Sequence, residues 1–233
     1  EPAVEEKKDD GSVDIGVVLP TNEESRWLQD EAQFRELAKT AGYNIEVLYS
    51  QRSSATERSN VESLIAKGMK VLFLCSPDAA AAASTVEMAH DEGVTVIAYD
   101  RMIPDTEKLD YYLSYDSVAI GAAMGQHLID NAEGTGNPLY LYAGALTDNN
   151  AFLLFEGAWS VLQPKIADGT FVIKNSSMAE KYIDQPSLTV NDNRAELSEI
   201  IGQITTNWDF NEAKSFVFAS RILSARVLSL ETP

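Results

Sequence analysis

From Val13 onward the chain alternates between two periods of apolar and polar positions. The runs "VDIGVVLP" at Val13, "NIEVLY" at Asn44, "KVLFLC" at Lys70 and "VTVIAYD" at Val94 are short, β-branched and nearly continuous, the pattern of strands covered on both faces. Between them lie segments of helical spacing. Ser25–Ala41 carries Trp27, Leu28, Phe34, Leu37, Ala38 and Ala41, with Gly42 where a left-handed cap belongs. Ala55–Lys67 places Val61, Leu64 and Ile65 on one face before Gly68, and Ala79–Glu92 stops at Gly93. After "YYLSYD" at Tyr111 the alternation restarts. A helix bearing Val118, Ala122, Ala123 and Leu128 precedes a strand "PLYLYAG", a helix from Asn150 to Leu162, a strand "TFVIKN", a helix over roughly 191–207 and a last strand, "SFVFAS", at Ser215–Ser220.

Strand and helix trading places with short connections predicts an α/β protein of right-handed βαβ units, its parallel sheets doubly wound with helices on both faces. The restart places a domain change near residues 114–118, giving a lobe over 13–114, a second over 115–233, and a polar tether at 1–12, "EPAVEEKKDDGS". Such an opening, without an initiating Met, reads equally as what processing of an exported chain leaves or as an arbitrary boundary.

Composition narrows the partners. With 36 acidic against 18 basic residues the formal net charge is −18, which repels nucleic acid and anionic headgroups and favours a neutral or cationic ligand. No apolar stretch reaches the roughly 20 residues needed to cross a bilayer. Cys75, the single cysteine, sits in an apolar strand and reads as a buried structural thiol. His90 and His127 fall on separate helices without ligand spacing, so no metal is expected. Glycine-rich phosphate loops and a nucleophile elbow are both missing, and no cofactor is expected. "VNDNRAE" lacks the Gly and distal Glu of a calcium loop and reads as a helix start rich in Asn and Asp.

In parallel α/β sheets ligands gather beyond the carboxyl ends of the strands. There the chain places Asn22, Arg26 and Trp27, then Asp78, then Asp100 with Arg101, and in the second half Asp148, Asn149 and Asn150. Carboxylates, amides and guanidinium groups can take two neighbouring hydroxyls at once, and an indole offers a flat apolar face. A sugar ring presents both aspects. The same residues have plainer uses: Asp100 can pair with Arg101, Asp148–Asn150 can cap a helix, and Trp27 can fill a core.

The motifs "SRW" at Ser25, "AYDRMI" at Ala98, "YYLSYD" at Tyr111, "TDNNAF" at Thr147 and "GAWSVLQPKIADG" at Gly157 together resemble the xylose-binding and multiple-sugar-binding proteins of bacterial ABC transporters, in the order and spacing of that family, from about Val13 to Phe218. The resemblance implies a type I periplasmic binding protein fold: two doubly wound, Rossmann-like lobes joined by a three-segment hinge, with an aldose held between them. By that resemblance Arg26 supplies a hydrogen bond, Trp27 a stacking ring partly exposed in the cleft, Asp100 and Arg101 a wall for ring hydroxyls, and Asp148 and Asn150 the second lobe's contribution. Tyr182 is a weaker candidate for a second stacking ring. Relative to the family, Ser220 and Arg221 stand where an Asn-Asp pair follows a strand, and the later segments are missing, so the second lobe and the hinge returns are expected to be incomplete.

The function implied is an extracytoplasmic receptor for a monosaccharide of the xylose type, an aldopentose or aldohexose, delivered to an ABC permease without covalent chemistry. It would lie in the periplasm or be lipid-anchored on the outer face of the cytoplasmic membrane. The alternative is a ligand-sensing domain of a sugar-responsive regulator or chemosensory system on the same fold; a chemosensory or two-component receptor is a further candidate partner beside the permease. Residues 1–12 are too short and acidic for the helix-turn-helix of a lactose-repressor-class regulator. An enzyme acting on sugar lacks a nucleophile motif, metal cluster or phosphate loop.

Overall fold

The computed structural model of the chain describes residues 11–219. They divide into two compact units between Tyr115 and Asp116. Of the expected tether at 1–12, all but Gly11 and Ser12 lies outside the described residues, as do Ser220 and Arg221.

In the first unit β1 (Ile15–Leu19), α1 (Ser25–Ala41), β2 (Ile45–Tyr49), α2 (Ser54–Ala66), β3 (Val71–Leu74), α3 (Ala79–Asp91), β4 (Thr95–Tyr99) and β5 (Tyr111–Leu113) follow in order. The strands form one parallel sheet of order β2-β1-β3-β4-β5. Central β1 shows why the run "IGVVL" is apolar without interruption. Val18 joins Val61, Leu64, Val86 and Ala89 of α2 and α3 on one face, whereas Val17 and Leu19 join Trp27 of α1 on the other. Successive strand side chains point to opposite faces, so a strand covered on both sides has no polar position to spare. α1 ends where the sequence predicts: Gly42 has φ +77°, and its N–H is donated to Lys39 O.

The second unit contains α4 (Ser117–Asp130), β6 (Asn137–Leu139), α5 (Asn149–Ala167), β7 (Phe171–Ile173), α6 (Ser177–Glu180) and α7 (Arg194–Ile204). β6 and β7 pair in parallel, and an isolated parallel bridge joins Ala143 to Thr205. The core gathers Phe152, Phe155, Trp159 and Leu162 of α5, Leu197, Ile200, Ile201 and Ile204 of α7, and Leu139 and Ile173 of the strands. The expected strand "PLYLYAG" is in ladder only as far as Leu139. Beyond it, the Asn175 side chain takes over the role of a strand, accepting from Leu141 N (2.8 Å) and donating to Leu141 O (2.7 Å).

One expected element is overturned. "SFVFA" is not a strand: residues 210–219 are helical. Asp209 Oδ1 caps this helix by accepting from Asn211 N (2.8 Å) and Glu212 N (3.0 Å), and Ala213 N donates to Asp209 O (2.9 Å). The apolar run tempted a strand assignment, but a strand needs a ladder partner. A capping Asp followed by Glu212, Ala213 and Lys214 satisfies the backbone locally instead.

Candidate functional site

The first unit brings Arg26, Trp27, Asp100 and Arg101 together beyond the ends of β1, β3 and β4. Asp100 follows β4 with φ +65°, a left-handed conformation unfavourable for a side-chain-bearing residue. Ser114 Oγ (2.8 Å) and Tyr112 Oη (3.3 Å) donate to its carbonyl, and its N–H is donated to Leu113 O (2.8 Å), so the neighbouring edge strand holds the strained turn. The turn leaves the buried carboxylate facing α1, where Oδ1 accepts from Arg26 Nη2 at 2.6 Å. Burial opposes the charge on Arg26, but the hydrogen bond and charge of Asp100, with a further contribution from Asp30, push its pKa up. Arg101, also buried, donates from Nη1 to Ser76 O at the end of β3 (3.1 Å).

Trp27 corrects the sequence reading. Expected to be partly exposed as a stacking ring, it is 2% exposed. It lies on the inward face of the first turn of α1, packed with Val17, Leu19, Val47 and Cys75, and its Nε1 donates to Glu24 Oε2 (3.1 Å). The guanidinium groups of Arg26 and Arg101 lie 4.5 and 5.7 Å from its ring centre. The indole thus supports two cations through cation–π contact. Burial of that apolar ring decided the matter: of the two guanidinium groups over it, Arg26 stays exposed and Arg101 is buried as well.

In the second unit Asp148 is the N-cap of α5, with Oδ1 accepting from Asn150 N at 2.9 Å. Its other oxygen accepts from Trp208 Nε1 at 3.0 Å. Asp148 and Asn150 are both buried, and Ser117 Oγ approaches Asn150 Oδ1 at 3.5 Å. Asn149 is half-buried, its Oδ1 accepting from Arg194 Nη1 (2.6 Å), while the Arg194 guanidinium lies 3.4 Å from the centre of the Phe152 ring. Burial lowers the pKa of Arg194. The capping and binding readings of "TDNN" are therefore compatible, because one carboxylate both starts the helix and orients an aromatic ring.

Trp208 was missed in the sequence. Half-buried, it lies over Gly144, where an added Cβ would fall 2.0 Å from the ring. The signal available was "NWD": a tryptophan just before a capping Asp, reached through left-handed Asn207 (φ 51°) and Trp208 (φ 56°). Tyr182, the weaker aromatic candidate, packs instead on the core beside α7, where desolvation and the carboxylates of Glu199 and Glu196 raise its pKa. Of the remaining candidates, Asn22 is exposed and accepts from Gln51 Nε2 (3.1 Å), and Asp78 caps α3 by accepting from Ala81 N (3.0 Å). Cys75 is buried beneath Trp27 in the same cluster. Among the described residues no group of three His, Cys, Asp or Glu side chains is arranged to hold a metal ion, and no helix is long and apolar enough to cross a membrane.

The periplasmic binding protein domain family matches residues 15–219. The multiple sugar-binding periplasmic receptor ChvE of Rhizobium radiobacter is 34% identical over 69% of this chain and 47% of its own, and the D-xylose-binding periplasmic protein of Escherichia coli K12 is 29% identical over 78% and 54%. The chain thus spans about half the length of the curated relatives it matches. The crystal structure of a carbohydrate transporter solute-binding protein from Chloroflexus aurantiacus, in complex with D-glucose, superposes with a TM-score of 0.85 at 58% identity, over 91% of this chain and 61% of that one. With a family match across nearly all the described residues and two α/β units whose polar side chains gather at strand ends, this chain belongs to the periplasmic binding protein family and has its type I fold.

Proposed function

We propose that the chain acts in an extracytoplasmic receptor that binds a monosaccharide, an aldopentose or aldohexose, and presents it to an ABC permease without changing it chemically. The hydrogen-bonding groups would be Arg26, Asp100 and Arg101 on the first unit and Asp148, Asn149 and Asn150 on the second, with Trp208 supplying the flat face that the buried Trp27 does not offer. The observation that carries this reading is the pairing of strand-end carboxylates with oriented cations and an indole. Arg26 holds Asp100 at 2.6 Å, and Trp208 holds Asp148 at 3.0 Å. Fixed planar acceptors of this kind recognise vicinal hydroxyls, and an aromatic face suits the C–H side of a sugar ring. The identity of the relatives supports the same ligand class, and their periplasmic names support a location outside the cytoplasmic membrane. The sensor alternative has weaker support, since a structural neighbour from such a system, the fructose-binding periplasmic domain of a hybrid two-component system, is 18% identical.

A thermal-shift screen against pentoses and hexoses tests the proposal. A sugar that binds only the folded state at about 100 times its Kd stabilises by about 2.7 kcal/mol, a rise of roughly 5–10 °C for a chain of this size. D-Glucose or D-xylose is expected to give such a rise. A melting temperature unmoved by every aldose at high millimolar concentration would sink the reading.

A further inference from the structure

Glu57, in the first turn of α2, is completely buried, and neither of its carboxylate oxygens has a hydrogen-bond partner among the described residues. A bare carboxylate in such a place is costly, whereas the neutral acid is not. Its polar neighbour is Ser76, also buried, at the turn that follows β3. A hydroxyl has one hydrogen and two lone pairs. Ser76 Oγ gives its hydrogen to Asp78 O (2.9 Å) and accepts from Asp78 N (3.1 Å), which leaves one lone pair open to a donor. Glu57 can fill that vacancy only as the protonated acid. Ser76 is also the residue whose carbonyl receives Arg101 Nη1, so the turn beside Glu57 is the turn that holds the proposed sugar-binding guanidinium.

Resting on the sugar-receptor reading, we propose that Glu57 is a positioning residue that, as a neutral acid, holds the Ser76 turn and through it Arg101, so that sugar affinity falls when the acid ionises. Burial pushes the pKa of Glu57 up to about 7 and the Asp78 carboxylate adds to it; the Ser76 hydroxyl opposes this when it swings its hydrogen from Asp78 O to the ionised carboxylate, and that swing is what loosens the turn. The other elements packed on α2 bring no competing charge onto it. β1 carries no charged residue, and on β2 Glu46 is held by Lys67 at 2.7 Å and Tyr49 by Glu31. On α3, Glu87, His90 and Asp91 are exposed, and Asp91 is paired with Lys108. Because the folded-state pKa lies above the ordinary carboxylate value, the contribution to stability is whole below that ordinary value and is lost as pH rises through about 7.

The test is isothermal titration of D-glucose and D-xylose into the wild-type chain and the isosteric Glu57→Gln variant at pH 5.5, 7.0 and 8.5 and constant ionic strength. Ligand-free melting curves at each pH accompany the titrations. Wild type is expected to weaken about tenfold from pH 5.5 to 8.5, a coupling of ordinary size, and its melting temperature to fall with it. The glutamine variant, whose amide can donate to Ser76 at every pH, is expected to hold its affinity and melting temperature constant. A merely structural Glu57 would move the melting temperature and leave the affinity profile flat, which would overturn the proposal. So would an equal pH dependence in Glu57→Gln. Sugar failing to bind at any pH would instead overturn the receptor reading on which this inference rests.

Discussion

An Asp148→Ala variant is expected to lose at least a hundredfold in sugar affinity and about 2 kcal/mol in stability. Two losses combine. The cap of α5 disappears, leaving Asn150 N without its acceptor, and Trp208 Nε1 loses the carboxylate oxygen that it meets at 3.0 Å. A residue 2% exposed with both oxygens engaged is part of the framework, not a loop position that can be truncated without structural cost. Asp148→Asn separates the roles. Its oxygen can keep the cap while its amide meets the indole N–H donor to donor, so stability should fall less than in alanine while affinity remains weak. Calorimetric titration with D-glucose, alongside urea denaturation, reads both. Wild-type affinity in Asp148→Ala would remove Asp148 from the site.

A Gly157→Val variant is expected to lose about 3 kcal/mol or more from the second unit. α4 and α5 touch backbone to backbone. A Cβ on Gly157 would fall 1.9 Å from Val118 O and 2.8 Å from Ala122 N, and one on Gly121 would fall 2.1 Å from Leu154 O. The obstructing atoms are main chain, which cannot swing aside as a flexible side chain would, so the helices must separate and open the contact of Gly125 with Val161, Ala158 and Leu162. Urea unfolding followed by tryptophan fluorescence, two of the three tryptophans being Trp159 and Trp208 of this unit, should show an earlier transition. An unchanged midpoint would mean that the helix pair tolerates separation.

Much of the first unit was legible because its signals are local. Doubly buried strands have to be apolar throughout, and Gly42, with φ +77°, and Gly68, with φ +87°, mark helix ends whatever packs around them. The second unit was less legible where an apolar run fits two periods. Phe216, Val217 and Phe218 suit a strand in isolation, and the Asp209 cap that makes them helical is visible only once the helix is suspected. The candidate site divides the same way. That carboxylates and amides follow the strands could be read directly, whereas which ring faces them could not. Trp27 and Trp208 each have a polar residue beside them, and only packing buried one and left the other half-buried against an acid 60 residues away.

By itself the sequence determined the alternation of strands and helices from β1 to β4, the parallel α/β class and the places where polar groups can stand, because backbone periodicity and turn chemistry act over a few residues. Tertiary structure decided the bonds that those groups make within each unit: Arg26 to Asp100 and Arg101 to Ser76 in the first, and Trp208 to Asp148 in the second. Each joins side chains far apart along the chain, and its geometry depends on how helices seat on strands, a sum of many packing contacts that no short stretch contains.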